Sequence, residues 1–382
     1  MTIRYTSERV RPAEWVLPGH PDKLADAIAD RLVEVGSIDI FPPRLSAIEV
    51  AIHRDTVYLT GRSTLGEVFG LGNLNEFKPY VQDIIGSAGY TDGAYWKPYG
   101  SEFRVEGNLC LDHFHEGEVA TRHLSDDQCI ITGYAIDFPG AGYLPPEHWF
   151  ARTLAKSLYE EVSSYLQLCP DGKVLVQLRQ TGVGAQTVYE LDKVSASLLV
   201  PDGVTDVGLR RVFLSHLEET LIKAREAFNC STRIPSPERI IINGSGNYHV
   251  GGPEGDNGLS GKKLLLDFYG PRVPIGGGAL CGKDLKKPDR AGAYIARRLG
   301  LELVKLGVAD EALVTGTVVP GAEHFEVSSI QTPQGWLHNP RQFEALVDTC
   351  LDNVYTSKLA ERLVQGSRWG YWFDPACSGE AI

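Results

Sequence analysis

Cysteine is scarce in these 382 residues and never patterned. Seven are scattered (Cys110, Cys129, Cys169, Cys230, Cys281, Cys350 and Cys377) with no C-x-x-C spacing. That excludes a disulfide framework and a cysteine-built zinc site, and predicts reduced thiols. Long apolar runs are missing as well, so no membrane span is expected. Met1 to Val16 carries Arg4, Arg9 and Arg11 but no apolar core, which predicts no signal peptide and a cytoplasmic protein. Basic charge is in deficit. Against 49 Asp and Glu stand 37 Lys and Arg, a formal −12, which argues against nucleic acid or an anionic membrane as partner. It leaves room for a local basic pocket that takes a small anionic substrate.

What is present is globular. Hydrophobic residues at 43% and charged residues at 23% exclude wholesale disorder, and the length suffices for a sizeable core. Gly19-His20-Pro21 leads into a first helix, with Leu24, Ile28, Leu32 and Val35 at helical spacing. A hairpin follows: Ile48, Val50 and Ile52 alternate, Arg54-Asp55 turn, and Val57 and Leu59 alternate back. Residues 86–107 read as loop. Strands are expected at 129–134, 173–178, 239–242 and 264–268, with helices near 148–165 and 206–228, after Asp289, and around 341–364. Strands and helices mix without strict βαβ alternation, so the fold class is α+β.

The segment Gly276 to Asp284 is the most informative. Gly277 to Lys283 satisfies G-x-x-x-x-G-K, but Asp284 stands where a P-loop needs a hydroxyl, and Pro271 and Pro274 interrupt the approach. A P-loop is therefore not expected. Lys262, Lys263, Lys283, Lys286 and Lys287 nevertheless crowd this region together with Asp256 and Asp289. Glycines admit phosphate oxygens to backbone N–H groups and lysines neutralise them, while aspartates oppose phosphate unless a divalent metal lies between. At the first helix, His20 and Lys23 with the positive helix end would suit an anion, or Asp22 complements the dipole and His20 caps.

These residues add up to a resemblance. Gly19-His20-Pro21-Asp22-Lys23, Asp127-Gln128 before Gly133-Tyr134-Ala135, Gly251-Gly252-Pro253 with Gly255-Asp256, and Gly276-Gly277-Gly278-Ala279 with Gly282-Lys283-Asp284 resemble, in order, the motifs of S-adenosylmethionine synthetases. The similarity is best over 19–61 and 239–307 and fades between 61 and 125 and after 321. The resemblance implies three similar α+β subdomains around a pseudo-threefold axis (1–123, 124–238 and 239–382), and a homodimer or dimer of dimers with active sites between subunits. It implies that methionine sulfur attacks C5′ of ATP, expelling triphosphate that is then hydrolysed, with Mg²⁺ required and K⁺ activating.

By the same resemblance, His20 lies beside the triphosphate's bridging oxygen, Asp22 and Asp289 bind Mg²⁺, and Glu49 serves K⁺. Asp171 and Lys173 contact nucleotide and phosphate. Asp256, Lys263, Lys283 and Lys287 line the triphosphate and methionine pockets, and Tyr248 stacks on adenine. Lys262 replaces the usual arginine, keeping charge but losing the bidentate fork.

Two departures affect the thioether side. The family's methionine-binding glutamate falls at Arg62, a charge reversal that leaves Asp127 to hold the ammonium, or that lets Arg62 read a carboxylate. The family's Gln-Ser-Pro-Asp-Ile stretch and flexible lid are missing, and Leu111-Asp112-His113-Phe114-His115-Glu116 stands there instead. If His113 and His115 alternate on a strand near Glu116 and His123, a metal site is one reading, and isolated polar side chains are the other. The expected substrates are ATP and methionine or a related thioether. A different acceptor, or a silent nucleotide-binding paralogue, are the alternatives.

Overall fold

The computed structural model describes residues 8–38, 40, 43–69, 73–182, 187–246 and 250–374. Its strands are β1 (Arg9–Val16), β2 (Ser46–His53), β3 (Thr56–Ser63), β4 (Arg104–Gly107), β5 (Cys110–Leu111), β6 (Cys129–Ile136), β7 (Gly172–Thr181), β8 (Val188–Leu198), β9 (Ile240–Ile242), β10 (Gly258–Leu259), β11 (Glu311–Val318), β12 (Glu326–Thr332) and β13 (Gly335–Trp336). The long helices are α1 (Pro21–Ser37), α2 (Lys78–Ser87), α3 (Pro146–Tyr159), α4 (Asp206–Phe228) and α5 (Pro288–Lys305). The class is α+β.

Three separate sheets form, in the orders β1-β7-β8-β9, β10-β2-β3-β4 with β5 beside β3, and β13-β12-β11-β6. Helices α3 and α4 cover the first sheet, α1 and α2 the second, and α5 the third, each over its own apolar core. The second sheet follows directly from the hairpin pattern. Ile48, Val50, Ile52, Val57 and Leu59 face the helices, while Glu49 and Tyr58 point away, and Arg54 takes the turn at φ 49°.

Each sheet also recruits a strand from far along the chain. Strand β1 pairs with β7, β10 with β2, and β6 with β11. The sheets therefore cut across the segments 1–123, 124–238 and 239–382, and this exchange carries site residues from one body to the next.

Two expectations are corrected. The apolar run 264–268 is a helical turn, Leu264–Asp267, because a short unbroken apolar run has no period to read and Asp267 turns inward to Lys23. The helix expected over 341–364 is a series of short turns (Pro340–Leu346, Asp352–Val354, Ser357–Ala360) before the helix Leu363–Trp369. Its backbone is diverted to the third sheet: Phe325 N–H donates to the Thr349 carbonyl at 2.9 Å, and Val347 is extended. The aromatic tail then plugs the core, with Trp372 stacked on Tyr269 at 5.7 Å. The six described cysteines are all free thiols, and no described helix is long and apolar enough to cross a membrane.

Candidate active site

His20 is the N-cap of α1, and Pro21 supplies the first helical residue. Strand β1 delivers it. Val16 pairs with Lys173, Leu17 N–H donates to the Gly172 carbonyl at 2.9 Å, and Gly19 N–H donates to the Pro170 carbonyl at 3.0 Å. A side chain at Gly19 would clash with Pro170, so the glycine sets how closely His20 approaches Asp171 and Lys173. The His20 Nδ1 accepts the Asp22 N–H at 3.2 Å, which leaves the proton on Nε2. Burial, then Lys263 and Lys173, push the imidazole down to about 3. His20 is thus a neutral hydrogen-bond donor at pH 7.

Asp22 accepts from Leu259 N–H at 3.0 Å and from Lys263 Nζ at 2.7 Å, with Lys262 Nζ at 3.7 Å. Burial raises its carboxyl, but the Lys263 and Leu259 hydrogen bonds outweigh that and hold it below the ordinary carboxylate range. Asp171 accepts the Gly252 N–H at 2.9 Å, and exposed Asp256 lies close enough to raise it. His20, Asp22, Asp171, Lys173, Asp256, Lys262 and Lys263 therefore share one locality.

Lys23 does not join them. It is fully buried, with Nζ on Asp26 at 3.1 Å and on Asp267, so the expectation of a second cation for an anion at this helix end is corrected. The same helix shows what the motif reading missed. Asp22, Asp26, Asp30 and Glu34 recur every fourth residue, and each accepts a backbone N–H from a distant segment: Leu259, Gly261 at 2.8 Å, Gly282 at 3.0 Å and Val364 at 2.9 Å. Three of these N–H groups belong to the loops that carry Lys262, Lys263 and Lys283. One helix thereby fixes both lysine loops relative to His20, its own N-cap. The i, i+4 carboxylate spacing was visible in the sequence; its partners were not.

A second cluster forms around Lys283. No helix starts there, since α5 begins only at Pro288, so the loop is not a P-loop. Gly282 sits at φ 76°, and Lys283 makes a single antiparallel bridge to Ala47 of β2. Buried Asp284 fastens the loop by accepting Ser46 N–H at 2.9 Å and Arg122 at 2.9 Å. Lys283 pairs with Asp289, and a Cβ on Gly278 would stand 2.7 Å from the lysine nitrogen. Lys283, Asp289, Gly277, Gly278, Asp127 and Gln128 line a cavity of about 570 Å³. Lys287 caps α5 beside it and pairs with Asp126. A second cavity of about 360 Å³ joins Lys283 to Glu49, Thr60 and Gly61 on the uncovered face of β2 and β3.

Arg62 does not stand as a free cation. It makes a bidentate pair with Glu118 at 2.7 and 2.9 Å. The strand expected under His113 and His115 is corrected: β5 stops at Leu111 and the backbone beyond is coil, turned back by Phe114 N–H donating to Glu67 at 3.1 Å. The histidines diverge, His113 toward Glu67, His115 toward Asp112, and His123 toward Glu323. Among the described residues no group of three or more His, Cys, Asp or Glu could hold a metal. Tyr248 lies outside the described residues.

Residues 250–359 match the family model described as the S-adenosylmethionine synthetase C-terminal domain. The chain is 32% identical over 350 residues to the S-adenosylmethionine synthase of Deinococcus radiodurans, covering 84% of this chain and 81% of the relative. The synthase of Deinococcus deserti is 31% identical, covering 84% and 80%. That of Paramagnetospirillum magneticum is 29% identical, covering 79% and 75%.

Proposed function

The chain belongs to the S-adenosylmethionine synthetase family, and on that premise we propose that the two lysine clusters are complementary halves of an active site that makes S-adenosylmethionine from ATP and methionine. The methionine sulfur donates an electron pair to C5′, the C5′–O bond breaks, and its pair leaves on the triphosphate. The product is a sulfonium, and the triphosphate is then hydrolysed to phosphate and pyrophosphate. The obstacle is a poorly reactive carbon and negative charge building on the leaving oxygen.

The observation that carries this reading is His20, a buried neutral donor with Lys173 and Lys263 close by. Its Nε2–H faces the bridging oxygen and stabilises charge that appears only as the bond breaks. Lys173, Lys262 and Lys263 bind phosphate oxygens in one half, and Lys283 and Lys287 in the other. Asp171 and Asp256 hold the nucleotide side, Tyr248 stacks on adenine, and Asp127 takes the methionine ammonium.

The donor set fits Mg²⁺. Asp22 and Asp289 offer carboxylate oxygens, and single carboxylates completed by phosphate oxygens and water are that ion's usual arrangement rather than an all-protein cage. Held by these two carboxylates, the ion would supply positive charge to offset that of the triphosphate. Glu49, beside Thr60 in the smaller cavity, offers an oxygen for K⁺.

Among the described residues no hydrogen bond or ion pair joins His20, Asp22, Lys173 or Lys263 to Lys283, Asp289 or Asp127. We read this as an active site completed by a second copy across the uncovered face of β2 and β3, in a homodimer of pseudo-threefold subunits. Reduced, scattered cysteines fit a cytoplasmic enzyme. The test is turnover with ATP, methionine, Mg²⁺ and K⁺. His20→Ala is expected to cut sulfonium formation by orders of magnitude with the fold intact; unchanged turnover rejects its role.

A further inference from the structure

Arg62 and Glu118 form a charge pair in an unusual place. Strand register puts Arg62 opposite Ala47, and Ala47 bridges to Lys283. Each step is one strand spacing, so the Arg62 backbone lies about 10 Å from that of Lys283. Arg62 also shares its face with Glu49 and Thr60, which line the cavity reaching Lys283.

Its side chains are 28% and 20% exposed, so a small solute can reach both charged groups from the open face. Glu118 also accepts the His115 N–H at 2.8 Å, and its hydrogen bonds from Arg62 push the carboxyl down to about 2, so it stays ionised. Neighbouring contacts already hold the segment that bears Glu118. Phe114 N–H donates to Glu67, which pairs with Arg44, and Arg122 donates to Asp284 next to Lys283. The Arg62–Glu118 pair is therefore not needed as the segment's sole anchor, and the anchors tie it to the Lys283 loop.

A fixed guanidinium and a fixed carboxylate side by side are complementary to a zwitterion. The planar fork of arginine matches an α-carboxylate, and Glu118 matches an α-ammonium. We infer that the Arg62–Glu118 pair is the recognition element for the amino-acid head of the thioether substrate, with Arg62 on its carboxylate and Glu118 joining Asp127 on its ammonium. This rests on the proposed adenosyltransferase function. It makes the acceptor a free α-amino acid, and the carboxylate absent from position 62 is supplied by Glu118 from another element.

The experiment compares methionine, methioninamide and 4-(methylthio)butanoate, measuring both binding beside a non-hydrolysable ATP analogue and sulfonium formation. The intact protein is expected to prefer methionine over the amide by roughly 100-fold. Arg62→Ala should weaken methionine binding by about 10- to 100-fold, erase that preference and leave the ATP KM unchanged. Arg62→Lys should recover part of it. Glu118→Gln should instead reduce discrimination against the deaminated acid. Arg62→Ala that keeps the methionine-to-amide ratio overturns the inference and makes the pair a strut, even if the melting temperature falls. Should Arg62→Ala fail to fold, Arg62→Gln and Glu118→Gln decide by the same ratios. Binding that follows these ratios without turnover counts against the proposed reaction and leaves the recognition element standing.

Discussion

Burial pushes the Asp171 carboxyl up to about 6, against the Gly252 N–H and Lys173 and with help from Asp256. An unfolded aspartate titrates near 3.9, so this group's contribution to stability is fully present below about pH 4 and is lost as pH rises through about 6. Asp171→Asn keeps an oxygen for the Gly252 N–H and abolishes that dependence. Relative to the parent, the variant should gain up to about 3 kcal/mol between pH 4 and pH 7, at about 1.36 kcal/mol for each tenfold change in proton affinity. Denaturant midpoints across that range measure it, and parallel curves would mean that Asp171 does not titrate there. His20 carries the opposite sign: pushed down to about 3, it contributes stability above about 6.5 that is lost as pH falls. Residue types and spacing marked Lys262, Lys263 and Lys283 as a candidate polyphosphate set, and the family resemblance added His20 and Asp22 to it. They could not tell exposed Lys262 from buried Lys23, because an ionisable side chain's environment comes from chain segments hundreds of residues away.

The carboxylate row of α1 is the element on which the site depends. Asp30 accepts the Gly282 N–H, the Arg290 guanidinium at 2.6 Å and the Tyr371 hydroxyl at 2.6 Å, all in the dry interior. Asp30→Asn leaves an acceptor for Gly282 but strips Arg290 of its counter-charge. Removing one partner of a buried pair costs about 3–5 kcal/mol, so equilibrium unfolding should show a loss of that size. A loss under about 1 kcal/mol would mean the pair is solvated. Elements with a clear period were readable: α1, α4, α5 and the β2–β3 hairpin stand where their apolar residues recur. Leu264–Asp267 and the turns after Pro340 were not, since an unbroken apolar run, or a helix-like pattern captured by a sheet edge, carries no local signal against the alternative.

On the scale of the whole molecule, the proposed completion of the site by a second copy makes a direct prediction for mixed protomers. His20→Ala and Lys283→Ala copies are each expected to be inactive as homodimers. Refolded together, they should regain activity, because each heterodimer would hold one site free of both substitutions. Absence of recovery with dimers present would place both halves in one chain. Composition and motif order by themselves determined the α+β class, the family resemblance and the residue types proposed to meet a triphosphate, because those depend on local periodicity and on the chemistry of the side chains. Only the tertiary structure decided that β1, β6 and β10 cross into other sheets, that α1 holds both lysine loops by their backbone, and that Arg62 meets Glu118. These are pairings between residues distant in sequence, set by long-range strand register and packing, and a one-dimensional pattern does not encode them.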